Sequence, residues 1–166
     1  MDPAEFDRWY ATAYPRLVGQ LTLILGDRAE AQDAVQEAFV RFWDRRAALT
    51  DVASRDAWIR TTAHRYAVSR WRRLARGREL TRLVPEQRVP AELSLDRATL
   101  VAALRKLPEQ QRHTVVLHYI ADRTIAQIAA ELGVAEGTVK ARLHHARAAL
   151  APLLDDTRTR TPGGAR

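Results

Sequence analysis

Between positions 137 and 148 the chain sets nitrogen and oxygen donors around small side chains, the arrangement that a protein surface needs to approach a nucleic-acid groove. Val139, Leu143, Ala146 and Leu150 repeat at helical spacing and define one apolar face. The opposite face then carries Gly137, Ala141, His144 and Ala148, flanked by Thr138, Lys140, Arg142, His145 and Arg147. Small residues allow close approach, while lysine, arginine and histidine reach base edges and phosphates. An ordinary amphipathic helix with a solvated basic face is the alternative for such a stretch taken alone. What precedes it favours DNA. Ile125, Ile128, Ala129 and Leu132 mark a short helix, and Gly133 stands where a glycine turns the chain into a second helix, with Val134 expected to be buried in the corner. Together they read as a helix-turn-helix.

Other chemistries lack their residues. A phosphate-binding glycine loop, an HExxH zinc pattern and a GxSxG elbow are all missing, and Ser54, Ser69 and Ser94 have no nucleophile signature around them. His113 and His118 are spaced wrongly for a two-histidine ligand set on one helix, and the adjacent His144 and His145 are expected to diverge. The reading is therefore a non-enzyme with no metal and no cofactor. Cysteine is absent, which excludes disulfides and thiolate sites and fits a reducing, cytoplasmic setting. The N-terminal MDPAEFDRWY is acidic and aromatic, unlike a secretory signal.

The formal charge of +7 and a sequence pI near 10.7 point to a polyanionic partner, and without a long apolar run that partner is nucleic acid rather than membrane. Residues 55–88 carry most of the excess, net +7, against −3 for residues 1–54 and +3 for residues 89–166. Within the basic stretch Arg65, Ser69, Arg72 and Arg76 share a helical face, with Arg73 beside them and Trp58, Tyr66 and Trp71 interleaved. Unpaired bases stack on aromatic rings at about 1–3 kcal/mol each, so this is the composition of a single-strand platform. At helical spacing Trp58 and Tyr66 are nonetheless expected in the core.

These features need an all-α scaffold of two small helical domains. A first helix starts near Phe6 and places Phe6, Tyr10, Ala13, Tyr14, Leu17, Leu21, Ile24 and Leu25 inward, with Pro15 expected to kink or restart it. Asp27 and Glu30 form a capping-box-like start for a second helix whose inner face is Ala31, Ala34, Val35, Ala38, Phe39 and Phe42. Glu30, Asp33, Gln36, Glu37 and Asp44 lie outside that stripe. Such an acidic face serves either solubility or docking on a basic protein, and composition leaves both open. Residues 47–54 read as a loop, with Ser54 capping a third helix near Arg55. The first domain is thus three helices over 1–76, followed by a flexible linker over 77–95 punctuated by Pro85 and Pro90. A second domain over 96–154 holds four helices. Ser94 or Asp96 caps its first, which turns Leu100, Ala103, Leu104 and Leu107 inward before Pro108; Val116, Leu117 and Ile120 mark the next, ahead of the helix-turn-helix pair. Residues 155–166 are expected to form a disordered tail.

Four segments in order resemble the extracytoplasmic-function sigma factors of bacterial RNA polymerase: GDRAEAQDAVQEAFVRFW at 26–43, AWIRTTAHRYAVSRWRR at 57–73, LRKLPEQQRHTVVLHYIADRTIAQIAAELGV at 104–134 and AEGTVKARLHHARAAL at 135–150. The resemblance spans nearly everything from Phe6 to Leu150. It implies a three-helix region 2 that binds core polymerase and the minus-10 element, and a four-helix region 4 that binds the minus-35 element. Asp33, Gln36 and Glu37 would dock on the beta-prime clamp helices. Arg65, Ser69, Trp71, Arg72, Arg73 and Arg76 would engage and help open the minus-10 element. Lys140, Ala141, His144 and His145 would face minus-35 bases, with Thr138 and Arg142 on phosphates. The implied partners are core RNA polymerase, through its beta-prime and beta subunits, and promoter DNA, with an anti-sigma factor left open. The chain departs from the family's pattern at Ala63-His64-Arg65, where Asn commonly follows Ala-Arg, at the His144-His145 pair and at Ala135. The alternatives are an autonomous helix-turn-helix regulator, which would bind duplex tightly without polymerase, and a helical module that sequesters a partner through the acidic face.

Overall fold

A computed structural model describes residues 1–48, 51–78 and 95–159 as seven α-helices in two units. The fold is all-α. The linker expected over 77–95 falls almost wholly outside the described residues, as do the Ser94 cap and residues 160–166.

The first unit packs α1 (Pro3–Leu25), α2 (Arg28–Arg45) and α3 (Val52–Arg78) against one another. Their shared core buries Trp9, Ala13, Leu17, Val18 and Leu21 of α1, the whole expected inner face of α2, and Ile59, Ala63 and Ala67 of α3. Trp58 and Tyr66 lie half-buried against it, in keeping with their helical spacing. Gly26, at φ 80°, ends α1 in the left-handed conformation that glycine adopts without steric cost. Asp27 then accepts the Glu30 backbone N–H at 2.9 Å and caps α2, an interaction type worth about 0.5–2 kcal/mol.

Two expectations change here. Pro15 does not restart α1, which continues through it as one helix. Proline removes the donor for the Ala11 carbonyl, but both residues lie on the exposed side, where water can serve that oxygen. The cap of α3 is Asp51 rather than Ser54: Asp51 accepts the Ser54 backbone N–H at 2.8 Å, and α3 begins at Val52.

A polar layer between α1 and α3 had no signature in the periodicity. Asp56, largely buried, accepts from Trp9 Nε1 at 3.3 Å and from Arg16 Nη2 at 2.6 Å. Arg55 donates to Glu5 at 3.3 Å, and Arg60, only 2% exposed, donates to Gln20 at 3.4 Å. Buried charge is tolerated when it is paired in this way.

The second unit comprises α4 (Leu95–Arg105), α5 (Glu109–Tyr119), α6 (Ile125–Leu132) and α7 (Glu136–Thr159), with α7 packed on the other three. Its core buries Val101, Ala103, Leu104, Leu107, Val116, Leu117, Ile128, Val139, Leu143 and Ala146. Leu100 is only half-buried, and Val101 takes the inward place instead. Ile120 is 43% exposed, not buried, because the chain leaves α5 there, with its N–H bonded back to Val116. Helix α7 continues through Thr159, beyond Asp155 where the tail was expected to start.

Candidate functional site

The helix-turn-helix is built from local devices. Thr124 accepts the Gln127 N–H at 3.2 Å while Gln127 accepts the Thr124 N–H at 3.0 Å, a reciprocal capping box that starts α6. Gly133 ends α6 at φ 67°, and the Val134 N–H returns to the Ala129 carbonyl at 3.0 Å. Val134 is half-buried rather than enclosed, since the corner faces solvent on one side. Ala135 has no side-chain cap to offer, and its carbonyl accepts from Thr138 and Val139 as α7 opens.

On α7 the buried Val139, Leu143 and Ala146 leave Gly137, Thr138, Lys140, Ala141, His144, His145, Arg147 and Ala148 exposed, the division that the apolar period dictates. A Cβ added at Gly137 would meet open space, so the start of this face is unobstructed. The His144 and His145 rings stand edge to face with centroids 5.7 Å apart, closer together than simple divergence implied. Two of the cations are held from behind. Arg142, half-buried, donates to Gln110 of α5 at 2.9 Å, and Arg147 donates to the Tyr119 hydroxyl while lying 5.7 Å over its ring. Neither Gln110 nor Tyr119 was legible as part of this surface, because both come from another helix.

On the first unit, α2 and α3 present surfaces of opposite sign. Asp33 and Gln36 of α2 are exposed and Glu37 is half-exposed, with Val40, at 61% exposure, continuing the stripe. Glu37 pairs with Arg41 at 2.7 Å, and the Arg41 guanidinium lies 5.4 Å over the Tyr66 ring. On α3, Arg65, Ser69, Arg72, Arg73 and Arg76 are all exposed, forming the expected ridge. Trp71 is 64% exposed, yet at 3.6 residues per turn it projects about 120° round the helix from Arg65. It therefore stands on the flank beside Val68, Leu74 and Ala75, and the structure does not bring it into the arginine ridge.

Arg70 departs from its neighbours. Its guanidinium turns back to α2, donating to Asp33 at 3.0 Å with Glu30 at 3.7 Å, and the Asp33 hydrogen bond, then the Glu30 charge, holds it more firmly protonated than an ordinary arginine.

With both surfaces placed, comparison with known proteins decides between the alternatives. Residues 9–77 match the family described as Sigma-70 region 2, and residues 97–150 match Sigma-70, region 4. The chain is 38% identical over 135 residues to the ECF RNA polymerase sigma factor SigL of Mycobacterium tuberculosis, covering 76% of each. The chain belongs to the ECF RNA polymerase sigma factors. A second such relative, the RNA polymerase sigma-E factor of Streptomyces avermitilis, is 32% identical over 88% of this chain and 83% of its own. The sigma fold is shared with RpoE of Bartonella quintana, solved in complex with the anti-sigma factor NepR, at a TM-score of 0.79 and 24% identity over 91% of this chain and 97% of that one. As a sigma factor the chain serves core RNA polymerase and promoter DNA, and the autonomous regulator is not favoured. Among the described residues no helix is long and apolar enough to cross a membrane.

Proposed function

We propose that the two surfaces of the first unit divide its work, α2 docking on the beta-prime clamp helices through Asp33, Gln36 and Glu37 while α3 engages the minus-10 element. Arg65, Ser69, Arg72, Arg73 and Arg76 would hold the phosphate backbone, and Trp71 would meet a base leaving the duplex from the flank. The observation that carries this reading is the opposite sign of two exposed faces on adjacent helices, one suited to a basic protein and the other to DNA. In the second unit, Lys140, Ala141, His144 and His145 would face minus-35 bases, with Thr138 and Arg142 on phosphates. Such a protein acts by binding and orienting, without catalytic groups of its own, and its place is the cytoplasm with the polymerase. The solved complex of RpoE with NepR supports an anti-sigma protein as the regulator of this chain as well.

The test is charge reversal. Asp33→Lys with Glu37→Lys should abolish co-purification with core polymerase while helicity stays intact, since losing charged contacts in a desolvated interface costs about 2–5 kcal/mol each and a solvated pair costs little. Unchanged co-purification would remove α2 as the docking face.

A further inference from the structure

We propose that Arg70 is a positioning residue for polymerase docking, fixing the Asp33 carboxylate from behind so that its free edge meets the core enzyme in a single orientation. This rests on the docking role of Asp33 proposed above.

Arg70 sits in the run Arg70-Trp71-Arg72-Arg73, whose other two arginines the sequence reading assigns to DNA while leaving Arg70 without a role. Its neighbours Arg72 and Arg73 are exposed on α3, whereas its own guanidinium reaches across to α2. It engages Asp33 through Oδ2 only, and Asp33 remains 60% exposed. A carboxylate has about four acceptor sites over its two oxygens, so one arginine does not saturate it. Nor does the arginine neutralise the surface. Glu30 and Asp33 share the one guanidinium, which leaves the trio with a net negative charge facing a basic partner.

Competition between Arg70 and the polymerase would require the same oxygen. The observed geometry separates the two demands: the bond to Arg70 uses Oδ2, which leaves Oδ1 to a partner. A side chain already held in its bound conformation loses less freedom on association than a mobile one, a difference that corresponds to roughly 3–10-fold in affinity. The same bond ties the docking helix to the helix that meets DNA, so both surfaces keep one register. Exposed ion pairs contribute little to folding. The fold should therefore tolerate the loss of Arg70, and the effect should appear in binding.

The experiment is a double-mutant cycle on the full-length protein, with affinity for core RNA polymerase measured by competition and folding followed by circular dichroism. Arg70→Ala should weaken core binding by roughly 3–10-fold without loss of helicity. In an Asp33→Ala background the same change should leave affinity within about twofold, because the carboxylate to be positioned is gone. Arg70→Lys, which keeps the charge and packing but not the planar fork, should fall between wild type and Arg70→Ala. Tighter binding of Arg70→Ala would show competition, and an equal loss in both backgrounds would show an independent role; either overturns the proposal. If Asp33→Ala weakens binding and Arg70→Ala does not, the docking role of Asp33 stands and the positioning role falls. If Asp33→Ala itself binds normally, both fall together.

Discussion

Arg142 of the recognition helix α7 is held by Gln110 of α5, Nη2 donating to Oε1 at 2.9 Å across a separation of 32 residues. A guanidinium has five N–H donors, so this bond steadies the fork and leaves most of it for a phosphate. The recognition surface is thus the product of two helices rather than one.

A phosphate contact carries no sequence information. Arg142→Ala should therefore weaken holoenzyme binding to every promoter variant alike and reduce the slope of log affinity against log salt by about one. Gln110→Ala should give a smaller, equally uniform loss, because the arginine is released but not removed. Binding titrations at several salt concentrations measure both. A loss confined to one promoter position would make Arg142 a base reader instead.

Lys140 and His145 border the small, exposed Ala141, where base edges can come within reach. Replacing either by alanine should relax discrimination at one or two upstream base pairs, by about 1–3 kcal/mol for a residue that bonds a base edge. Transcription from a library of minus-35 variants gives the comparison. Identical preferences for wild type and Lys140→Ala would take that residue out of direct readout.

The angle between Trp71 and the arginine ridge separates their expected effects on opening. Trp71→Ala, checked first for folding and core binding, should initiate poorly from a fully paired promoter and recover substantially on a template pre-melted at the minus-10 element, where unpairing is no longer required. Arg65→Ala should share that pattern to the extent that it captures the opened strand, and retain a defect on both templates to the extent that it holds the duplex backbone. A Trp71→Ala defect equal on the two templates would assign the tryptophan to packing or affinity, not to melting.

The α3 cap has a pH signature. Bonds from the Ser54 backbone and side chain to Asp51 hold its carboxyl below the usual carboxylate range. A group whose pKa is lower in the folded state stabilises fully above its unfolded value and loses that contribution as pH falls through the folded one. Relative to Asp51→Asn, whose cap does not titrate, the wild-type Tm should therefore fall more steeply as the pH is lowered through the carboxylate range. A difference between the two proteins that stays constant with pH would show that the Asp51 charge does not contribute.

Much of the architecture was legible because it rests on local rules. The inner faces of α2 and α7 follow directly from apolar spacing, and Gly133 ends α6 in the left-handed conformation that its position demands. The same spacing exposes Lys140, Ala141, His144 and His145, since a residue opposite a buried stripe on a helix has nowhere else to go. Periodicity could not tell that Arg55 and Arg60 are buried. Their partners Glu5 and Gln20 belong to α1, far away in the chain, and an arginine on an amphipathic helix reads as solvated until a neighbour supplies an acceptor. Ser54 was expected to cap α3, but the chain enters the helix three residues earlier, at Val52, and Asp51 takes the cap. Within one arginine-rich run the sequence reading placed Arg72 and Arg73 on the basic face and left Arg70 without a role, and only the structure shows it turned to Asp33. Helical spacing fixes a side chain's angle about its own axis, but only the packing of a second helix decides whether a charge at that angle meets water or a carboxylate.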